Sequence, residues 1–452
     1  MMRDWLVRKH IGIFTVAAFV VGCGAGQASA AELRAGVARI DITPPLSLKP
    51  PLGGYGARLN RPAQGVHDRI FAKALILTDG RRKFALITAD MLGFALPFKP
   101  DFLKQIADQG WSAENVMLLP SHSHTSVEMN ALNPRNDVNI PQIGIHDPAL
   151  YEFELQKFAE LVRQAEQKLE PVSIGSSSRR VEGWNRNRRE EGGIVDDELT
   201  VTRVDTTAGK PLAVLVNFTA HPTFMSEHEM LFSGDWPGAL QRTLEAALGQ
   251  GITAMYYNGA EGDQSPVARR DSGDSPWERS ARFGLELGIV AADLWKTTPT
   301  ARDVAFGFHL QELKLPKRRW HPEFMATGGK EYGLSENTAD ALLARLWPSE
   351  TTSGALRLGD LVIVGIPGEM AAALGLRTKA EVRAALHVEH AVIGGIANEW
   401  ISYILSAESY LQGSGYEASM SFYGPELGDC IVKGAVKGAS ELTASEPQAV
   451  QP

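Results

Sequence analysis

The chain has 452 residues, of which 44% are hydrophobic and 22% charged, a globular composition with ample core-forming material. That length accommodates one large catalytic domain or two ordinary ones. A net charge of -8 with no long basic run excludes nucleic acid as an expected partner, and Lys317-Arg318-Arg319-Trp320 reads as a solvated face.

The start of the chain differs in kind from the rest. Arg3, Arg8 and Lys9 flank or precede an apolar run from Ile11 to Val21, and Ala28-Ser29-Ala30 supplies small residues suited to a signal peptidase. The run falls short of the about 20 residues that a membrane-spanning helix needs. Residues 1–30 therefore read as a signal peptide, and the mature protein as exported, periplasmic or secreted. Val20-Val21-Gly22-Cys23 also has the form of a lipobox, which would anchor the chain through a lipid on Cys23. With the leader removed, Cys430 is the one cysteine left, so no internal disulfide is expected and stability rests on the core.

Beyond the leader, short apolar runs alternate with longer amphipathic stretches. Ala35–Ile42 is the first predicted strand, and Pro44–Pro62, rich in Pro and Gly, reads as an ordered loop in which Gly53-Gly54-Tyr55-Gly56 can bring backbone close to another group. Strands follow at Ala72–Leu77, Phe84–Thr88 and Val116–Leu119. Tyr151, Leu155, Phe158, Val162, Ala165 and Leu169 recur at helical spacing and predict a helix over Pro148–Leu169. The next strands are Leu199–Val204, Leu212–Asn217 and Ile252–Tyr257, with a helix over Gly238–Leu248. Further on come a helix at Trp277–Trp295, a strand at Val304–Leu313 and a helix at Ala339–Leu346. The last elements are a strand at Leu361–Ile366, a helix at Met370–Leu386 and a strand at Ala391–Ile396. Strands interleaved with helices predict a mixed α/β (α+β) fold: one catalytic domain, residues 31–442, on a central mixed sheet with its active site at strand ends. Residues 443–452 lose all periodicity and read as a disordered tail.

The chemistry-bearing residues share a position, each following a predicted strand. His122 and His124 follow Val116–Leu119, His221 follows Leu212–Asn217, Ser265 follows Ile252–Tyr257, Glu369 follows Leu361–Ile366, and Tyr403 lies beyond Ala391–Ile396. In extended chain His122 and His124 face the same way, and imidazole nitrogens with a carboxylate suit zinc. Each residue also has a plainer reading. The histidines can be capped or buried at strand ends, Glu369 can be an early helix residue favoured by the macrodipole, and Tyr403 can be core. The turn of Gly262-Asp263-Gln264-Ser265-Pro266 either presents a hydroxyl or is an Asx-type turn without chemistry.

Taken in order, several blocks resemble the neutral/alkaline, non-lysosomal ceramidases, a family of zinc-dependent amidases. They are Ala35 to Pro44, Gly53-Gly54-Tyr55-Gly56, Ser121-His122-Ser123-His124-Thr125, Asn217 to Thr223, Gly262 to Pro266, Gly365 to Glu369, Tyr403 to Ser406 and Tyr416 to Ser419. The resemblance implies one zinc ion per chain held by His122, His221, Glu369 and Tyr403. It also implies a proton-handling or substrate-facing His124, a catalytic Ser265, and substrate contacts at Arg186 and Tyr416. The sequence departs from the family pattern around Ser265, where Gln264 and Val267 flank the serine, and after Arg186, where Asn187-Arg188 stands in place of Ser-Pro. Full-length members carry a C-terminal immunoglobulin-like sandwich, for which a chain ending at Pro452 leaves no room.

The expected activity is hydrolysis of the amide of a small amphiphilic N-acyl lipid of the ceramide type, a substrate that a membrane surface can present. Two rivals stand beside it: the same zinc site acting on another amide, ester or lactone, and a non-catalytic lipid- or carbohydrate-binding protein on a hydrolase scaffold.

Overall fold

Period-two alternation along the strands decides which side chains fill the space between two stacked sheets. The computed structural model describes residues 32–249, 251–268, 274–413 and 415–442. The signal peptide read at 1–30, with Cys23, and the tail at 443–452 lie outside them.

In chain order the first strands are β1 (Arg34–Asp41), β2 (Gly65–Val66), β3 (Phe71–Thr78) and β4 (Lys83–Ala89). Helix α1 (Phe98–Lys104), strand β5 (Val116–Pro120) and helix α2 (Pro148–Glu166) follow. Next come β6 (Glu170–Arg180), β7 (Asn185–Asn187), β8 (Glu198–Thr206), β9 (Pro211–Phe218) and β10 (Leu231–Phe232). Helix α3 (Asp235–Leu248), strands β11 (Thr253–Asn258) and β12 (Gln264–Pro266), and helix α4 (Pro276–Thr297) complete this half. The second half opens with β13 (Phe306–Lys314), α5 (Gly328–Glu331), α6 (Glu336–Leu346), β14 (Glu350–Leu358) and β15 (Leu361–Gly365). It closes with β16 (Glu369–Met370), α7 (Ala372–Leu386), β17 (His390–Gly394), β18 (Tyr403–Ile404), α8 (Ala407–Leu411), α9 (Tyr416–Ser419) and α10 (Leu427–Ser440).

The large mixed sheet has eight strands in the order β11-β9-β8-β6-β1-β3-β4-β5, and the smaller one has four, β13-β14-β15-β17. Parallel pairs occur at β11/β9, β4/β5 and β15/β17. Leu361 and Ile363 of β15 point toward the large sheet and share a buried cluster with Leu75, Leu86, Met117, Leu215 and Met255. Their neighbours Val362 and Val364 point the other way, onto α7 and α10. The outer faces of the large sheet are covered by α1 and α2 on one half and by α3 and α4 on the other. The mixed α/β class therefore holds, with the central sheet paired against a second one.

β6 sits in the middle of the large sheet, although its sequence, Glu170-Pro-Val-Ser-Ile-Gly-Ser-Ser-Ser-Arg-Arg180, carries little apolar signal. Cross-strand hydroxyl pairs replace apolar ones, Ser176 with Thr202 at 3.0 Å and Ser178 with Thr200 at 2.8 Å. The predicted helix over Pro148–Leu169 ends at Glu166, because the chain must turn back into β6 at Glu170.

Candidate metal centre

The side chain of Asn258, at the end of β11, ties three strand ends together. Its Nδ2 donates to Ser121 O (3.3 Å) and Ala220 O (2.9 Å), and its Oδ1 accepts from Ala220 N (3.2 Å). His122 and His221 are the residues immediately after these two carbonyls, so one amide fixes where both imidazoles begin.

His122 adopts φ 67°, a left-handed conformation that costs a non-glycine residue about 1–3 kcal/mol and persists where the surroundings enforce it. Here the enforcement is visible: His122 N donates to Met91 O (2.9 Å), and its ring Nδ1 donates to Leu92 O (2.6 Å). His221 is held in the same way, with N donating to Gln264 O (3.0 Å) and Nδ1 to Glu261 O (2.8 Å). Because a carbonyl only accepts, each Nδ1 carries a proton, which leaves each Nε2 as the nitrogen that can face an ion.

Both Nε2 atoms face the same carboxylate. Glu369 Oε2 lies 3.0 Å from His221 Nε2 and 3.5 Å from His122 Nε2, and Oε1 accepts from Trp400 Nε1 at 2.8 Å. Glu369 reaches this point through a short parallel pairing of β16 with β18 that sets it directly beside Tyr403. Burial pushes the His221 imidazole down to about 4. The His122 and His221 rings hold the Glu369 carboxyl well below the ordinary carboxylate range despite its burial. At neutral pH the imidazole of His221 is therefore neutral and Glu369 is an anion, with lone pairs opposed at 3.0 Å. That arrangement calls for a cation between them. Ligands sharing one tetrahedral zinc at about 2.0–2.1 Å stand about 3.3 Å apart, which the nitrogen–oxygen distances match.

The surrounding groups complete a charged wall. His124 Nε2 lies 3.3 Å from His122 Nε2 while its Nδ1 is buried without a partner, and burial with the two neighbouring rings pushes its pKa well below the usual histidine value. His122, His124 and His221 form one group able to hold an ion, and His122, Glu261 and Glu369 a second. Arg188 donates to Tyr403 Oη (3.0 Å), Gly262 O (2.9 Å) and Glu417 Oε1 (2.7 Å). Burial and the Glu369 charge raise the Tyr403 hydroxyl well above its ordinary value, so it stands as a phenol in the metal-free geometry.

A cavity of about 500 Å³ opens onto these groups, bounded by His122, His124, Arg188, Glu369 and Tyr403 at one end. Tyr416 lines it as well, its hydroxyl 3.0 Å from that of Tyr332. Two sequence-predicted residues are not brought in. Arg186 and Ser265 face each other across the β7/β12 pairing and do not line the cavity. The reason for Arg186 is local: β7 ends at Asn187, whose Oδ1 accepts from Arg189 N and Glu190 N, and this turn swings Arg188 inward instead. For Ser265, the buried position of the turn goes to its neighbour Gln264, whose carbonyl accepts from His221 N.

Sequence reasoning missed Arg188, Trp400, Tyr332 and Glu261. Glu261 is fully buried with both carboxylate oxygens unpartnered, and burial together with the Glu369 charge raises its pKa well above the carboxylate range. Its place in a glycine-rich turn after β11 was a usable signal.

The sequence model described as neutral/alkaline non-lysosomal ceramidase, N-terminal, matches residues 33–274 and 339–432. The chain belongs to that family. It is 22% identical to the neutral ceramidase of Pseudomonas aeruginosa over 479 residues, covering 87% of this chain and 69% of that protein. The Mycobacterium tuberculosis neutral ceramidase is 23% identical over 461 residues, covering 82% and 71%. The crystal structure of the Pseudomonas aeruginosa neutral ceramidase has the same fold, with a TM-score of 0.79, 19% identity, and coverage of 93% of this chain and 76% of that one. This family's likeness now rests on the whole domain rather than on short blocks.

Proposed function

We propose that the protein is an exported zinc-dependent amidase that hydrolyses the amide bond of N-acyl lipids of the ceramide type. The observation that supports the metal is the pair of Nδ1-anchored imidazoles aiming Nε2 at one carboxylate. The substrate class is supported by family membership, by relatives that are named neutral ceramidases, and by an apolar cavity reaching the metal centre.

His122, His221 and Glu369 would hold the ion, with Tyr403 beside Glu369 as the remaining donor. When bound, zinc polarises a carbonyl and acidifies water toward a pKa of about 7. The chain's own residues supply the rest. His124, neutral at working pH and next to the ligands, accepts a proton and passes it to the departing amine. Arg188 holds the Tyr403 hydroxyl and keeps a positive charge beside the developing oxyanion. Ser265 lies outside the cavity lining, so this reading assigns attack on the carbonyl to water.

The test is hydrolysis of ceramide and simpler N-acyl amines by purified protein, with zinc quantified before and after chelation. Turnover that disappears with the metal and returns with added zinc supports the reading. Zinc-loaded protein that cleaves esters or lactones but no amide would replace the substrate class. Export is tested by the N-terminus of the protein recovered outside the cytoplasm, which should begin at Ala31, or at a lipidated Cys23 if the lipobox is used. Among the described residues no helix is long and apolar enough to cross a membrane.

A further inference from the structure

The cavity lining has two unlike stretches. Trp400 begins the first, its Nε1 bonded to Glu369, and its ring lies 6.2 Å from Trp347 and 6.0 Å from Phe422. Trp320 continues the series at 5.1 Å from Phe422, and Phe324 stacks on Trp320 at 4.0 Å with an interplanar angle of 15°. This aromatic run leads away from the metal ligand along the cavity. Elsewhere on the lining, His124 packs on Tyr55 (5.1 Å) and against Gly54, and Glu128, Asn130 and Gln142 add polar groups among Leu92, Met129 and Ile143.

The family match breaks between residues 274 and 339, and Trp320 and Phe324 fall inside that gap. The segment is nonetheless firmly held. Arg319 N donates to Phe422 O (2.8 Å), Arg318 Nη1 to Ala344 O (2.9 Å), and Trp320 Nε1 to Asp340 Oδ1 (3.1 Å). Rings locked in this way give a fixed surface and lose little freedom when a chain lies on them.

The two stretches also distinguish the two halves of an amide. With the carbonyl at the metal, the amine half must lie next to the group that protonates it, which is His124. The acyl half then runs toward Trp400. We propose that this aromatic wall is the acyl-chain subsite, and that Trp320 and Phe324 determine which acyl lengths the enzyme prefers. The assignment rests on the amidase reading given above.

The experiment compares wild type with Trp320→Ala, Phe324→Ala and the conservative Phe324→Leu on acetyl, octanoyl and palmitoyl amides of one amine. For the alanine variants KM for the octanoyl amide should rise about 10-fold or more, since each buried methylene contributes to binding. The acetyl amide, too short to reach Phe324, should be far less affected, and Phe324→Leu should recover most of the octanoyl KM. A uniform loss across all three amides, or an unchanged ranking of lengths, would overturn the proposal. A calorimetric titration of the full chain with the octanoyl amide in excess chelator separates this subsite from the reaction. There the alanine variants should bind about 10-fold more weakly than wild type, and equal binding would count against the subsite. If wild type cleaves no amide at all, the functional reading fails and the titration alone decides the wall.

Discussion

Trp400 orients one side chain of the candidate metal centre without itself being among the candidate ligands. Its indole N–H holds Glu369 Oε1, leaving Oε2 aimed at His122 and His221. Trp400→Phe keeps the ring and removes the donor, and should weaken zinc binding by about 10–100-fold. A competitive chelator titration measures it, and unchanged affinity would remove Trp400 from the account. Glu128 offers a pH test. Burial raises its carboxyl to about 7 from an ordinary 4.5. A group raised in the folded state stabilises it below the unfolded value and loses that contribution as pH rises through the folded one. Wild type should therefore lose stability relative to Glu128→Gln as pH climbs from about 4.5 to about 7, then run parallel above that. Chemical denaturation across the range reads the gap, and a constant gap contradicts the assignment. At this scale His122 and His221 stood out as imidazoles after predicted strands, with capped or buried histidines as the rival reading, and the structure brings both Nε2 atoms to Glu369. Glu369 and Tyr403 came from family resemblance, since their pairing across β16 and β18 has no signature in either segment alone. Arg186 came from resemblance to the family's Asn-Arg segment, and that Arg188 lines the cavity depends on side-chain bonds in the turn at Asn187, which spacing does not reveal.

Elements position these residues through close backbone approaches. Gly54 has φ 89°, and a Cβ there would stand 2.3 Å from His124 Nδ1. Gly54→Ala should therefore displace His124 and reduce turnover about 10-fold or more while His122, His221 and Glu369 keep their zinc. Loss of metal together with activity would show that the loop supports the ligands instead. Behind the centre, Lys379 of α7 is buried against Asp196 (2.9 Å) and Glu198 (2.6 Å), and Asp196 Oδ2 also accepts from Thr219 near the end of β9. Lys379→Ala strands the buried Asp196, while Glu198 keeps Arg383 at 2.7 Å, and should cost about 3 kcal/mol of stability, seen as a lower denaturation midpoint. A loss below about 1 kcal/mol would place the network on the surface energetically. The apolar strands and amphipathic helices were readable from periodicity. β6 was not, because hydroxyl pairs replace its apolar partners. α10 was also unread, although Leu427, Ile431, Val432, Ala435 and Ala439 form a buried stripe at helical spacing, and glycines at 434 and 438 let it lie directly on Leu313 and Gln311 of β13.

For the whole molecule, the sequence led to a mixed α/β domain on a central sheet. The second sheet stacked upon it follows from alternation in β15 only once its partner strand β14, with its polar start, is in place. Stacking matters to function, because β5, β9 and β11 come from the large sheet, whereas Glu369 and Tyr403 follow strands of the small one. The candidate metal centre thus lies where the two sheets' strand ends meet. The most direct test is anomalous diffraction at the zinc edge from crystals of the full-length purified protein. The account predicts one strong peak about 2.0–2.2 Å from His122 Nε2, His221 Nε2 and a Glu369 carboxylate oxygen. An active protein with no peak among these residues, or with its zinc bound elsewhere, would contradict it.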